Sequence, residues 1–259
     1  MVERVESSRV RRKTNSLAAP PVEFDKPTVA KARWCRQRLL SWYDQHGREF
    51  PWRSPAAGLF QQVVAEVLLQ RTQASTVGRF FGSFFDLFKS WDDIHAAPIE
   101  LLENALKPIG LWRRRAIALK ELAREMVGRS SGFPATREEL ETLPAVGQYV
   151  ASAVLLFAYR RPEPLLDANM ARVLERVFEP RRLVDIRYDL RLQGLARLLV
   201  RSRDPIRVNW AILDLAASHC GPRSPLCNGC PLQIRCQHAI AATFVREQDS
   251  TKGSGGRRT

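Results

Sequence analysis

Leu143-Pro144-Ala145-Val146-Gly147-Gln148-Tyr149-Val150-Ala151 compresses the end of one helix, a tight turn and the start of another into nine residues. A fresh helix start presents unpaired backbone N–H groups and the positive end of the helix dipole. Such groups grip a phosphate without reading a base, so Val146, Gly147 and Gln148 are candidate contacts to a nucleic-acid backbone. An ordinary connection between two packed helices has the same local pattern, and the surrounding sequence has to decide between the two.

Helical periodicity extends in both directions from this turn. Apolar spacing predicts helices over Lys31–Gln45, Leu59–Phe85, Ile99–Leu106, Arg113–Val127, Arg137–Thr142, Gly147–Tyr159, Ala168–Phe178, Leu190–Leu199 and Ile206–Cys220, with Gly or Pro between most of them. There is no strand series and no solenoid-length repeat, so the predicted fold class is all-α. Residues 1–28 and 238–259 lack apolar period and read as flexible tails.

Of 259 residues, 41 are Lys or Arg and 27 are Asp or Glu, a net charge of +14, and only seven of the basic residues are lysines. The stretch 1–28 holds six basic and four acidic residues and 237–259 holds four and two, which leaves +10 on 29–236. A hydrophobic content of 45% excludes a disordered polybasic chain. Without an apolar run of about 18 residues or an apolar leader, the chain is expected to be intracellular, in the cytoplasm or nucleoid, with no membrane partner. The positive charge makes nucleic acid the leading partner.

Five cysteines in a reducing compartment do not suggest disulfides. Cys220, Cys227, Cys230 and Cys236 follow C-x6-C-x2-C-x5-C, short enough for one loop to aim four thiolates at one centre. Zinc and a [4Fe-4S] cluster both accept four cysteine sulfurs. Zinc sites more often use two short knuckles, and the single short pair here favours the cluster. Gly221, Arg223, Asn228 and Arg235 around the ligands suit a loop that turns basic side chains towards phosphates. Cys35, beside Trp34 on an apolar helix, reads as a core thiol.

Beyond the hairpin, Pro162-Glu163-Pro164-Leu165-Leu166 has to be extended, and Asp167-Ala168-Asn169-Met170-Ala171-Arg172-Val173-Leu174 turns helical with Asp167 as N-cap. A carboxylate there is first of all a cap. The same position also suits an anion that stabilises a sugar cation.

The LPxVG hairpin, the LDANxxRV segment and the four cysteines occur in order, and together they resemble the helix-hairpin-helix DNA glycosylases with a [4Fe-4S] cluster, from about Lys31 to about Cys236. That family usually has glycine where Ala145 stands. The resemblance implies two helical lobes: a six-helix barrel over 55–162 carrying the hairpin 143–151, and a cluster lobe built from 29–54 and 163–237.

Arg48-Glu49-Phe50-Pro51-Trp52-Arg53 and Ala65-Glu66-Val67-Leu68-Leu69-Gln70-Arg71-Thr72-Gln73 are similar to the MutY-type adenine and MIG-type thymine mismatch branches rather than to endonuclease III. On a helical wheel Gln62, Glu66 and Gln70 form a polar stripe, away from Phe60, Val63, Val64, Val67 and Leu68. The resemblance makes Glu66 a pocket carboxylate that hydrogen-bonds or protonates the extruded base, with Gln70 and Arg71 filling the hole left behind. Strand-cutting relatives carry a lysine on the helix after the hairpin, where this chain has Tyr149, and no lysine lies between Lys120 and Lys252. Tyrosine there resembles the thymine enzymes. Arg113, Arg114 and Arg115 are expected to grip phosphates.

The expected protein is a monofunctional DNA N-glycosylase, acting as a monomer on mispaired double-stranded DNA, with Asp167, Glu66 and Tyr149 as the chemical residues and thymine or uracil opposite guanine as target. Adenine enzymes of the family typically add a C-terminal domain that the 23 residues after Cys236 are too short to form. A MutY-type adenine glycosylase, a non-catalytic mismatch-binding protein and a zinc-stapled nucleic-acid module remain the alternatives.

Overall fold

The computed structural model describes residues 22–129 and 132–244, and among them there is no strand. Eleven helices are named here: α1 (Lys26–His46), α2 (Leu59–Leu69), α3 (Ala74–Leu87), α4 (Trp91–Ala96), α5 (Ile99–Leu106), α6 (Trp112–Val127), α7 (Arg137–Leu140), α8 (Gln148–Tyr159), α9 (Ala168–Val177), α10 (Leu190–Val200) and α11 (Pro205–Ser218). None of the described helices is long and apolar enough to cross a membrane.

Two buried clusters organise them. Side chains of α2 to α8 enclose the first, rich in Phe80, Phe81, Phe84, Phe85 and Phe88. The second joins α1, near the start of the described chain, to α9, α10 and α11 from its far end. Helix α8 belongs to both: Val150, Ala151, Val154 and Leu155 face the first cluster, while Ala153, Leu156 and Phe157 face the second. A helix apolar on every side has to be covered on every side, and here the two lobes supply the cover.

Several boundaries differ from the sequence expectation. The single helix expected over Leu59–Phe85 is two, because Gln70 leaves α2 at ψ 114° and Arg71 turns left-handed at φ 59°. No Gly or Pro marks this break, and hydrogen bonds from Arg115 impose it from outside. Helix α4 is additional: Ser90 caps it by accepting from the Asp93 N–H, and six residues are too few to show a period.

The tail assignments also shift. Helix α1 starts inside the expected tail 1–28, since Asp25 accepts from the Thr28 N–H at 3.0 Å and Pro27 suits the first turn. The expected tail 238–259 is helical over 237–244. The rest of both tails, 1–21 and 245–259, lies outside the described residues.

The segment leading to Asp167 is extended, as Pro162 and Pro164 dictate, and α11 holds it in place. Asn209, fully buried, accepts from the Leu165 N–H at 2.7 Å and donates to Glu163 O and Pro205 O. This lone amide on an apolar helix fixes where α9 begins.

Candidate active site

Helix α2 carries Glu66 in the middle of the buried run Val63–Leu68. Far from lying on a wet stripe with Gln62 and Gln70, Glu66 is 3% exposed. Packing of α8 against α2 explains the difference, because the Tyr149 hydroxyl donates to Glu66 Oε2 at 2.7 Å. Burial pushes the Glu66 carboxyl up to about 7, against the opposing pull of that hydrogen bond and of the Arg53 charge, while the Asp167 charge adds to the rise. Burial, then the charges of Glu66 and Asp167, raise the Tyr149 phenol well above its usual value, so it stays a neutral donor.

Asp167 caps α9 as expected. Its Oδ1 accepts from the N–H groups of Asn169 at 2.9 Å and Met170 at 2.8 Å, and its Oδ2 accepts from Asn169 Nδ2 at 2.6 Å. Asn169 Oδ1 in turn accepts from Arg172, whose Nε donates to Cys220 O at 2.7 Å. A hydrogen-bonded file thus runs from the Asp167 carboxylate to the backbone of the first clustered cysteine.

A groove opens between the lobes with about 760 Å³ of empty space continuous with solvent. Gln70, Gln148 and Tyr149 line it from one side, and Leu166, Arg187 and Arg197 from the other. Tyr149, whose hydroxyl holds Glu66, thus lines the groove, as does Leu166, the residue before Asp167.

The hairpin keeps a left-handed turn although its residue is alanine: Ala145 has φ 61°. Val146 is buried and its N–H donates to Leu143 O, so it closes the turn instead of facing a ligand. No side chain caps the start of α8 at Gly147. The Gln148 side chain donates to Gln193 Oε1, tying the hairpin to α10. Gln70 and Arg71 stand exposed at the end of α2. Arg113 and Arg114 are exposed on α6, Arg113 over the Trp112 ring at 4.3 Å, whereas Arg115 turns inward and grips backbone, not phosphate.

Two residues were missed or left without a role. Arg53 lies between the Phe50 and Trp210 rings and forms a two-pronged ion pair with the fully buried Asp214, at 2.8 and 3.0 Å. Arg48 donates to the same carboxylate through its backbone N–H and its Nε. This pair holds the Phe50–Trp52 corner against α11 and sets a positive charge near Glu66. A lone acid inside the apolar run of α11 was the available signal for Asp214.

Cys220, Cys227, Cys230 and Cys236 line one cavity of about 360 Å³. Arg176 donates to Cys220 Sγ at 3.2 Å and to Gly221 O and Pro222 O, which places a cation beside the sulfurs. Among the described residues no group of three or more His, Cys, Asp or Glu side chains is placed to hold a metal ion. Cys35 is a buried core thiol, as expected.

The profile of the HhH-GPD superfamily base excision DNA repair proteins matches residues 64–185. A thymine/uracil-DNA glycosylase of Pyrobaculum aerophilum is 38% identical over 206 residues, covering 76% of this chain and 87% of that protein. The human adenine DNA glycosylase is 34% identical, over 81% of this chain and 40% of its own length. A thermostable thymine-DNA glycosylase of known structure superposes with a TM-score of 0.76 at 31% identity, over 83% of this chain and 99% of that one. With the hairpin and the tyrosine that holds Glu66 lining one groove, the chain belongs to the HhH-GPD superfamily of base excision DNA repair proteins.

Proposed function

We propose that this chain is a monofunctional, mismatch-specific DNA N-glycosylase that releases thymine or uracil mispaired with guanine. The observation that carries the reading is the buried Glu66–Tyr149 pair at the groove, both members of which feel the charge of Asp167. A base inside a duplex is out of reach, so it is flipped into the groove, at an unstacking cost of about a few kcal/mol that a mispair lowers.

Glu66, holding a proton up to a pH of about 7, donates it towards the departing base as the C1′–N1 bond breaks and its electron pair leaves with the base. Asp167 stabilises the oxocarbenium-like sugar and orients water, whose oxygen bonds to C1′ as a proton passes from that water to the Asp167 carboxylate. Tyr149 has no amine to form an imine, so the strand stays intact. Gly147 and Gln148 at the start of α8, with Arg113 and Arg114, hold backbone phosphates, and Gln70 and Arg71 occupy the space that the base leaves.

Four cysteine sulfurs around one cavity suit a [4Fe-4S] cluster better than zinc. The single short Cys-x2-Cys pair, Cys227 and Cys230, flanked by the longer gaps to Cys220 and Cys236, departs from the two short knuckles that zinc sites more often use. A bound cluster would brace the Cys220–Cys236 loop against α9, with Arg176 offsetting the thiolate charge. The protein acts as a monomer in the compartment that holds the DNA.

The test is a panel of duplexes containing T:G, U:G, A:G or A:8-oxoguanine, treated with alkali to cut at abasic sites. Excision of T and U opposite G, without borohydride-trapped adducts, is the expected result. Excision confined to adenine would transfer the chain to the adenine branch, and binding without excision would make it a mismatch sensor.

A further inference from the structure

Arg115, in the first turn of α6, is 6% exposed, and every acceptor it meets is neutral. Its Nη1 lies 2.7 Å from both Ile109 O and Gly110 O. Its Nη2 lies 2.6 Å from Gln70 O and from Thr72 Oγ1, and 3.2 Å from Leu68 O. Apart from Leu68 O in the last turn of α2, these acceptors belong to two separate bends, one after α2 at 70–72 and one before α6 at 109–111.

Each bend holds a non-glycine residue in the left-handed region, Arg71 at φ 59° and Leu111 at φ 51°. Such conformations are disfavoured for side chains of this size and persist where the surroundings over-determine them. Both residues are exposed, Leu111 by 53%. A buried cation facing only dipoles is a costly way to join two turns, since a well-packed apolar side chain would serve cohesion as well or better. What a guanidinium adds is a planar fork that fixes two backbones at one relative distance and angle.

We propose that Arg115 is a positioning residue that locks the 70–72 and 109–111 bends into one rigid wedge, which keeps the duplex open once the mispaired base has left it. The proposal rests on the glycosylase reading and deepens it. A base that swings back before the C1′–N1 bond breaks is not released, so a loose wedge slows excision by shortening the extruded state rather than by changing the chemistry.

The variants are Arg115→Lys, whose single ammonium keeps the charge but cannot bridge both bends, and Arg115→Met. Each is assayed in single-turnover excision on two duplexes, one with T opposite G and one with T opposite an abasic site, where no partner base draws the thymine back. Excision from T:G is expected to fall at least about tenfold, and excision opposite the abasic site to change less than about twofold. Both rates come from one preparation, so partial misfolding scales them together and leaves their ratio unchanged. A 2-aminopurine placed beside the thymine is expected to lose its unstacking signal in the T:G duplex only. Equal losses on both duplexes, or no loss on either, would overturn the proposal. A wild-type protein that releases thymine from neither duplex sinks the glycosylase reading instead, and this inference with it.

Discussion

Glu66 and Asp167 carry the same functional group, come from different lobes and lie in opposite surroundings. Glu66 is sealed among the apolar residues of α2 with one hydroxyl donor, and its carboxyl is pushed up to about 7. Asp167 is half-buried at a helix start and accepts from two backbone N–H groups and an amide. Burial lets Glu66 keep its proton, while the cap hydrogen bonds fix the direction of the Asp167 oxygens, and paired carboxylates in unlike surroundings divide their roles in sugar chemistry.

The strongest way to break this division is Asp167→Asn. Asparagine still caps a helix, so the fold and DNA binding are expected to survive, while single-turnover excision falls by about 10²–10³-fold or more. Near-normal turnover with intact binding in a gel-shift assay would remove Asp167 from the chemistry.

Glu66→Gln removes the proton donor, with an expected loss of about 10²-fold in excision. It also tests the burial. The folded protein holds the Glu66 proton up to about 7, against an ordinary value of 4.5, so the stability this group contributes is complete below 4.5 and is lost as pH rises through 7. Urea denaturation of the wild type at low and high pH is expected to differ by on the order of 3 kcal/mol more than that of the glutamine variant. Equal pH dependence would place Glu66 in water.

Tyr149→Phe sharpens the comparison. The Tyr149 hydrogen bond holds the Glu66 carboxyl down, so its removal is expected to move the descending limb of the excision–pH profile from about 7 to higher pH. An unmoved limb would assign that limb to another group. The smallest effect is expected from Ala145→Gly, which relieves the left-handed alanine of the hairpin and is expected to raise stability by about 1 kcal/mol in thermal unfolding, with excision unchanged.

The hairpin, the Asp167 cap and the cysteine spacing were legible because each depends on residues within a few positions of one another. The extended run before Asp167 was legible because proline dictates it. Glu66 was placed by resemblance while its wheel position pointed to a polar stripe, and the face of α2 that α8 would cover was invisible without α8. Arg115 was read as the third of three phosphate-gripping arginines. A run of like charges cannot show which member lies over a neighbouring bend.

By itself the sequence determined helix content, the hairpin, the helix start at Asp167 and a four-cysteine loop, since propensity, capping and proline geometry act within a turn or two. Tertiary structure alone decided that Tyr149 holds Glu66 across 83 residues, that Arg115 breaks the α2–α3 helix from 47 residues away, and that Asp214 reaches Arg53 across 161. Those contacts depend on which faces are buried together, and burial is a property of the packed chain that no local stretch contains.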